Sequence, residues 1–291
     1  MEKIIPQMEK LEDTIIVNPE KINAFIQALK EQGPNSLHVL ADFDRTITKA
    51  FVNGEYVSSI ISMLRKHNYL TPDYPQKAQE LFEKYHPQEL DPKISKKEKS
   101  KIMEEWWRAH NKLLIASGLN IKDIESAVKH EHIQFREGAE DFLNTLKANN
   151  IPLIIFSSSG LGTDAISILL KQRGKLSDNI EIVSNTFEYD EQGNVVRIKE
   201  PIIHSLNKGE AVLKDLPAFK KVKDRKNVIL LGDSVDDVGM VEGFKYDHLI
   251  KFGFLNDKVD ENLDDYKKYF DLIITHDGSM DALNKFMAEI L

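Results

Sequence analysis

Residues 40–48 of the chain read Leu40-Ala41-Asp42-Phe43-Asp44-Arg45-Thr46-Ile47-Thr48. This stretch places two aspartates, one residue apart, where a short apolar run that begins at Leu37 gives way to polar residues. Such a run is typical of a parallel strand that is buried on both faces. Because ligands of open α/β sheets bind beyond the carboxyl ends of the strands, Asp42 and Asp44 are candidates for the chemistry of this protein.

Two further apolar runs end in polar residues that suit the same edge of a sheet. Val228–Leu231 is followed by Gly232-Asp233-Ser234-Val235-Asp236-Asp237, and Leu153–Phe156 by Ser157-Ser158-Ser159-Gly160. Clustered carboxylates raise one another's pKa values unless a cation lies among them, and Mg²⁺ prefers such oxygen ligands. The serine hydroxyls and the N–H groups of the next helix start are a natural place for a phosphate. Lys208, which follows Asn207 at a predicted helix start, is the candidate that completes the site.

Strands and helices alternate along most of the chain, which predicts an α/β fold with a doubly wound parallel sheet and right-handed crossovers. A first helix is predicted to begin at Asn18-Pro19 and to end at Gly33. Further helices are predicted near residues 138–149, 163–173 and 279–290, and strands at 180–183, 249–250 and 272–274. Segments 187–190 and 195–199 flank Glu191-Gln192-Gly193, a pattern that predicts a hairpin beside the core.

The segment from residue 50 to residue 136 differs, because its apolar residues recur at helical spacing. Its prolines are expected to mark joints between helices, and they are Pro72, Pro75, Pro87 and Pro92. We therefore predict two domains, with residues 1–49 and 137–291 forming the α/β core and residues 50–136 an inserted helical cap. A cap spliced in at this point is expected to lie over the carboxyl edge of the sheet, where it can exclude water and contact the non-reacting part of a substrate.

The composition limits the classes of partner. The 291-residue chain has a net charge of −8 and a pI of about 5.7, so its composition does not predict a basic surface that would bind a nucleic-acid polymer. It contains no cysteine, which excludes disulfides and thiolate metal sites and fits a reducing compartment. Because we find no 18-residue apolar span and no signal-like first segment, we expect a cytoplasmic protein without a membrane partner.

Together these motifs resemble those of the haloacid dehalogenase superfamily of aspartate-nucleophile phosphohydrolases, in the order that this superfamily uses. The shared parts are an Asp-x-Asp-x-Thr strand end, a serine strand end, a lysine and a Gly-Asp-Ser-x-x-Asp strand end. Softer matches resemble the cytosolic pyrimidine 5′-nucleotidase group, and they are Met103-Glu104-Glu105-Trp106, Val183-Ser184-Asn185, His204 with Asn207-Lys208, and Gly253-Phe254-Leu255-Asn256-Asp257. The resemblance spans residue 37 to the C-terminus.

The resemblance implies a 5′-nucleotidase that hydrolyses nucleoside 5′-monophosphates, pyrimidine nucleotides preferred, with Mg²⁺ and an aspartyl-phosphate intermediate. It implies that Asp42 is the nucleophile and Asp44 the general acid and then base, assisted by Lys208. The expected metal residues are Asp42, Asp44 through its carbonyl oxygen, Asp233 and Asp237. Asp237 has two possible roles: it holds Lys208 or a metal-bound water, or it is simply an acid at the N-terminus of a helix. The expected substrate contacts are Thr46, Ser157, Ser158, Lys208 and, for the base, Glu105.

The chain departs from the family pattern at two places. The serine stretch 157–164 is longer and richer in hydroxyls than the family's Phe-Ser-Ala-Gly, and Asp236 stands where a small residue is expected. Both places touch the phosphate edge, so they bear on leaving-group preference and on metal affinity.

Other functions remain open on the sequence. The nearest alternative is a phosphatase of the same chemistry that acts on a phosphosugar or on phosphoserine. Residues 160–165 match the dinucleotide fingerprint G-x-G-x-x-A, but not in the first βα unit, and a dehydrogenase would leave Asp42, Asp44 and Asp233 without a purpose. His130-Glu131-His132 does not predict a zinc site, because side chains two residues apart do not share a helix face. We expect a small nucleoside monophosphate as the partner, and a monomer or weak homodimer.

Overall fold

The computed structural model describes residues 4–57, 59–66, 69–91, 93–129, 133–209, 217–243 and 245–291. Three features of the sequence fall outside these ranges: His130-Glu131-His132, Pro92, and the helix expected directly after Lys208.

A sheet of seven strands forms the centre of the molecule. These strands are β1 (Thr14–Ile16), β2 (Leu37–Ala41), β5 (Leu153–Phe156), β6 (Ile180–Val183), β9 (Asn227–Gly232), β10 (His248–Leu255) and β11 (Leu272–Thr275). Their order across the sheet is β1-β11-β10-β9-β2-β5-β6. All neighbours pair in parallel except β1, which pairs antiparallel with β11 at the edge. The predicted α/β class with a mostly parallel sheet is confirmed, and the antiparallel edge strand is an addition that the sequence did not predict.

The chain order reverses at β2, which makes this strand the switch point of the sheet. From β2 the chain reaches β5 and β6 on one side, and it later returns to β9 on the other side. Residues on β2 alternate between two apolar layers, with Val39 and Ala41 in one cluster and Leu40 in the other. Because the connections leave β2 toward opposite sides of the sheet, the crevice in which open α/β sheets bind ligands lies at the carboxyl end of β2.

Helices cover both faces of this sheet. One layer contains α1 (Ile4–Met8), α2 (Pro19–Gln32), α7 (Ala139–Ala148), α8 (Gly162–Gln172) and α11 (Asp281–Ile290). The other contains α9 (Pro217–Val222), α10 (Val259–Tyr269) and a 3₁₀ segment, Val235–Val241. The helices predicted for the first layer agree with the structure to within two residues at each end, and Gly33 follows α2 as the expected stop. The sequence did not predict α1 or α10.

Four helices lie between β2 and β5 along the chain. They are α3 (Ile60–Lys66), α4 (Tyr74–Leu90), α5 (Lys96–Ala116) and α6 (Ile121–Val128), preceded by the small hairpin β3 (Phe51–Val52) and β4 (Glu55–Tyr56). The joint predicted at Pro87 is wrong, because α4 continues through that residue to Leu90. Pro87 has no N–H, so one hydrogen bond of the helix backbone is missing at this point. In the same turn, the side chain of Gln88 donates a hydrogen bond from Nε2 to the Lys84 carbonyl at 2.8 Å. Pro75 does lie in the first turn of α4.

The predicted hairpin is present and connects the inserted helices to the sheet region. β7 (Phe187–Tyr189) pairs antiparallel with β8 (Val195–Ile198) as a separate two-stranded sheet. Asn120, the N-cap of α6, donates to the side chain of Asn194 at 2.9 Å, and the Val195 N–H donates to the Leu119 carbonyl at 2.8 Å. Helices α3, α4, α5 and α6 also share a continuous apolar cluster with the sheet, so the inserted segment packs directly on the core.

The turn from β5 into α8 depends on a glycine at a crowded position. Gly162 has φ +61, and a Cβ placed there would lie 1.9 Å from the backbone oxygen of Asn185. The same Asn185 oxygen accepts a hydrogen bond from the Thr163 N–H at 2.8 Å, so it cannot retreat without breaking that bond. The close approach fixes the serine stretch that precedes α8.

We predict that Gly162→Ala lowers the free energy of unfolding by at least about 3 kcal/mol, because backbone strain and a steric clash add together. Gly174→Ala is the matched control, since Gly174 has φ +65 but a Cβ placed there would meet nothing within 4 Å. Its cost should be about 1–2 kcal/mol, from backbone strain alone. Denaturant unfolding of both variants measures the difference, and equal losses would contradict the role given to the Asn185 contact.

Candidate active site

The three polar strand ends predicted from the sequence meet at one edge of the sheet. Asp42, Ser157 and Asp233 are each the first residue beyond β2, β5 and β9, which are neighbours in the sheet. The Asp42 N–H donates to the Leu231 carbonyl at 3.0 Å, which continues the pairing of β2 with β9 past the end of β2. Carboxylate oxygens of Asp42, Asp233 and Asp237 all lie within 4.8 Å of one another. The expected convergence of residues 42 and 233 is therefore observed.

Lys208 lies inside this cluster. Its ammonium group donates to Asp42 Oδ1 and, at 3.2 Å, to Asp237 Oδ1. All three side chains are more than nine-tenths buried, with exposed fractions of 7% for Lys208, 5% for Asp42 and 3% for Asp237. Burial alone would lower the pKa of Lys208, but the charges of Asp237 and Asp42 raise it above its ordinary value. Lys208 is therefore a fixed positive charge in contact with the predicted nucleophile.

Asp237 is held by the turn that follows β9. Its second carboxylate oxygen accepts the Ser234 N–H at 3.0 Å, and the Ser234 hydroxyl accepts the Asp236 N–H at 3.3 Å, so the two side chains cap the 3₁₀ segment reciprocally. A Cβ on Gly232 would lie 2.5 Å from Asp237 Cβ, so glycine is needed where this side chain folds back. Asp237 thus both caps a helical segment and holds Lys208.

Three carboxyl groups at the floor of the site, those of Asp42, Asp44 and Asp233, have raised pKa values. Burial raises the pKa of Asp42 well above its ordinary value, although the Lys208 charge opposes the shift. Burial likewise raises the pKa of Asp44, against the charges of Arg45 and Lys208. For Asp233, burial raises the pKa to about 6, opposed chiefly by Arg45. A half-buried carboxyl such as Asp44, whose pKa is raised, holds a proton more readily than an exposed aspartate does, which suits a general acid.

The serine stretch forms the wall beside Asp42. The Ser157 hydroxyl accepts the Ser159 N–H at 3.1 Å, and Ser157 itself is 1% exposed. This bond uses the hydroxyl oxygen of Ser157 as an acceptor, while Ser158 is only half-buried. Both predicted phosphate contacts, Ser157 and Ser158, line the same cavity as Asp42 and Lys208.

That cavity has a volume of about 400 Å³ and runs from the sheet edge to the inserted helices. Its floor is formed by the aspartates and Lys208, and its apolar part comes from Ile61, Leu90 and Trp107 of α3, α4 and α5. A Cβ on Gly160 would lie 2.1 Å from Ile61 Cδ1 and 2.9 Å from Trp107 Cζ3. The serine stretch and the helices are therefore in direct contact at Gly160.

Two predicted substrate residues do not line this cavity. Thr46 is fully buried, and within the described ranges its hydroxyl has no hydrogen-bond partner. Glu105 has a side chain that is 66% exposed, and it accepts a hydrogen bond from the Tyr85 hydroxyl at 2.7 Å. The structure therefore places the neighbouring Trp107 at the cavity, and Glu105 away from it.

Arg45 is a residue of the cavity that the sequence did not reveal. Its Nε lies 3.2 Å from Asp233 Oδ2, and its guanidinium also donates to the Tyr56 hydroxyl. The charge of Asp233 raises the pKa of Arg45 above its ordinary value, so Arg45 is a permanent cation beside the aspartates. Arg45 occupies the variable position between Asp44 and Thr46 of the Asp-x-Asp-x-Thr pattern, and a position without a fixed residue type gives no chemical signal.

The donor atoms of the cluster suit a hard divalent cation. The three aspartates offer carboxylate oxygens, the ligands that Mg²⁺ prefers, and they lie close enough together to share one ion. Two cations of the chain, Lys208 and Arg45, neutralise part of their charge. The buried, oxygen-only site with surplus negative charge therefore fits Mg²⁺.

Comparison with known proteins gives consistent matches. The family profile described as pyrimidine 5′-nucleotidase (UMPH-1) matches residues 45–291. The chain is 32% identical over 290 residues to the 7-methylguanosine phosphate-specific 5′-nucleotidase of Gallus gallus, covering 99% of each chain. The crystal structure of cytosolic 5′-nucleotidase IIIB bound to cytidine superposes with a TM-score of 0.88 at 28% identity, covering 98% of this chain and 96% of that one. A phospho-aspartyl intermediate analogue of phosphoserine phosphatase matches in fold, with a TM-score of 0.52 at 18% identity, covering 86% and 97%.

We predict that Lys208→Met lowers the free energy of unfolding by about 3–5 kcal/mol at pH 8 in chelator, because it leaves Asp42 and Asp237 buried without a counter-ion. The loss should be smaller at pH 5, since the raised pKa of Asp42 lets that carboxyl take up a proton as the pH falls. Lys268→Met removes an exposed ion pair with Asp265 and should leave the stability almost unchanged at either pH, because water already screens that pair. Denaturant titrations at the two pH values measure these losses, and a pH-independent loss for Lys208→Met would argue against the buried triad.

Proposed function

Because the chain belongs to the pyrimidine 5′-nucleotidase (UMPH-1) family of the haloacid dehalogenase superfamily, we propose that it hydrolyses nucleoside 5′-monophosphates through phosphorylation of Asp42. The observation that carries the proposal is the contact of Lys208 with Asp42 at the floor of a cavity large enough for a nucleotide.

In the first step, the Asp42 carboxylate attacks phosphorus and the ribose oxygen leaves. Lys208 fixes the orientation of Asp42 and supplies positive charge where charge develops on the phosphoryl oxygens. Asp44 donates its proton to the leaving ribose oxygen, which its raised pKa permits. In the second step, water attacks the phosphorus of the aspartyl-phosphate while Asp44 takes a proton from it. The P–O bond to Asp42 breaks, inorganic phosphate leaves, and the Asp42 carboxylate and the protonated Asp44 are restored.

Mg²⁺ would be held by the carboxylates of Asp42 and Asp233 and by the Asp44 carbonyl. The Asp237 carboxylate would lie next to the ion. When bound, it would screen the repulsion between Asp42 and the phosphate dianion. The fit of the residues rests on the 4.8 Å grouping of the three carboxylates and on the burial of Asp42 and Asp237. Ser157 and Ser158, in the cavity wall beside Asp42, would hold the phosphoryl oxygens that the metal does not contact.

The nucleoside would occupy the part of the cavity that Ile61, Leu90 and Trp107 line, because these apolar groups suit a sugar and a stacked base. Two base preferences have support. The family profile and the cytidine-bound structure favour pyrimidines, whereas the Gallus gallus relative is named for 7-methylguanosine phosphate. A cationic base such as 7-methylguanine would also gain from the face of Trp107. We propose a pyrimidine nucleoside monophosphate as the first substrate class and 7-methylguanosine monophosphate as the second.

The domain division predicted from the sequence agrees with a phosphate bound by the α/β core and a nucleoside bound by the inserted helices. We propose residues 1–49 and 137–291 as the catalytic domain and residues 50–136 as a cap whose helices line the nucleoside end. Among the described helices, none is long and apolar enough to cross a bilayer. A cytoplasmic location is proposed, in line with the matched structure of a cytosolic enzyme.

A panel of about twenty phosphomonoesters, assayed with Mg²⁺, tests the substrate class. We expect cytidine and uridine 5′-monophosphates or 7-methylguanosine 5′-monophosphate to have the highest kcat/KM, because only a nucleoside fills the apolar part of the cavity. Phosphoserine and phosphosugars should fall below them by about tenfold or more, since they leave that part empty. A phosphosugar or phosphoserine that ranks first would overturn the nucleotidase proposal in favour of the alternative phosphatase.

Asp42→Asn is expected to lower kcat by about three orders of magnitude or more, because an amide cannot act as the nucleophile. Asp265→Asn, a change of the same type on the exposed surface, should leave kcat unchanged. Acid quenching during turnover and mass spectrometry of the peptide that contains residue 42 should show a phosphate on the unmodified protein. Near-normal turnover by a folded Asp42→Asn variant would exclude Asp42 as the nucleophile.

A further inference from the structure

Arg45 has a backbone conformation that arginine rarely adopts. Its φ is +62, in the left-handed region that favours glycine, and it directly follows Asp44. This conformation turns the chain sharply after β2 and brings the guanidinium against Asp233, with 3.2 Å between Nε and Oδ2. The guanidinium is thus placed on a predicted metal ligand by the same turn that positions Asp42 and Asp44.

Two side chains from distant parts of the chain hold this turn in place. Asn256 Nδ2 donates to the Arg45 carbonyl at 3.0 Å, and Arg136 Nη2 donates to the same carbonyl. Arg136 also donates from Nε to the Thr46 carbonyl at 2.9 Å and from Nη2 to Asn256 Oδ1 at 2.8 Å. We call Arg136 and Asn256 the carbonyl clamp.

The carbonyl clamp is itself fixed from several sides. The Arg136 side chain is fully buried, lies 3.1 Å from Asp277 Oδ1 and stacks over Phe254 with its guanidinium carbon 4.5 Å from the ring centre. Asp277 in turn accepts the N–H groups of Ala50 and Phe51 at 2.8 and 3.0 Å. A buried arginine with this many partners cannot easily move, so the Arg45 carbonyl is held rigidly.

We infer that Arg45 is a counter-ion built into the metal site. The carbonyl clamp holds its guanidinium against Asp233, and the positive charge of Arg45 weakens Mg²⁺ binding there. The inference rests on the proposed Mg²⁺ site. Asp233 lies among the grouped carboxylates, and its side chain is only 10% exposed, so the guanidinium and the metal share one buried carboxylate.

Two opposite effects of Arg45 on metal affinity must be compared. A side chain that orients a metal ligand by direct contact, as the ion pair of Arg45 with Asp233 could, strengthens metal binding by about 10- to 100-fold. A single positive charge within about 6 Å of a divalent ion weakens it by more than that at an effective dielectric constant of about 20. The repulsion between Arg45 and Mg²⁺ is therefore the larger effect. Arg45 partly neutralises the acidic cluster when no metal is bound, and it weakens metal binding.

The test compares Mg²⁺ binding by titration calorimetry, in the absence of substrate, for the unmodified protein and for Arg45→Met, Asn256→Ala and the double variant. Arg45→Met should lower the Kd about tenfold or more, because the competing charge is gone. Asn256→Ala should lower the Kd less, because Arg45 is only loosened. In the Arg45→Met background, Asn256→Ala should have no further effect on the Kd.

Melting temperatures in chelator and in Mg²⁺ give a second measurement. Arg45→Met should melt lower than the unmodified protein in chelator and gain more on addition of Mg²⁺, since Asp233 is left without a counter-ion. Arg197→Met is the matched control: it removes the same charge from an exposed pair with Glu188 and should leave the Kd unchanged.

Unchanged or weaker Mg²⁺ binding by folded Arg45→Met would overturn the inference while leaving the proposed function intact. An equal effect of Asn256→Ala in both backgrounds would show that the carbonyl clamp does not act through Arg45, and it would overturn the inference as well. An unmodified protein that binds no Mg²⁺ would instead contradict the metal site of the proposed function, together with this inference.

Discussion

Lys208 lies between Asp42 and Asp237, and these three buried charges impose the constraint on which the site depends. Removing each charge from water costs several kcal/mol, and the cost is offset only when the partners are held in contact. The required contact is possible because β2 and β9 are adjacent and end at the same height, with Asp42 still bonded to Leu231. The parallel sheet therefore sets the position of the nucleophile, and Lys208 offsets the cost of burying it.

Close backbone approaches transmit this constraint to the rest of the cavity. Gly232 lets Asp237 fold back over the strand end, and Gly162 lets the serine stretch pass the Asn185 carbonyl. Gly160 brings the same stretch against Trp107, so the wall that would hold phosphate also touches the wall that would hold the nucleoside. A shift of the inserted helices would thus be felt at the serine stretch, which links nucleoside binding to phosphate positioning.

The sequence predicted the parts of the structure that local patterns determine. The apolar runs that end at Asp42, Ser157 and Asp233 predicted three adjacent strand ends, because buried parallel strands have a simple composition. The three-residue strand β1 was too short to show a period, and Pro87 follows enough helical sequence for α4 to continue through it. The placement of Arg45 and Glu105 depends on backbone conformation and on helix packing, which a motif does not encode. The roles assigned to the site residues remain predictions.

We propose that separate strand ends bring their carboxylates to one divalent cation beside the nucleophile. A crystal structure of the protein grown with Mn²⁺, with anomalous diffraction data, can show whether they do. We expect a single strong anomalous peak within coordination distance of carboxylate oxygens of both Asp42 and Asp233. A well-ordered site without such a peak, or a peak bound to only one of the two residues, would contradict it.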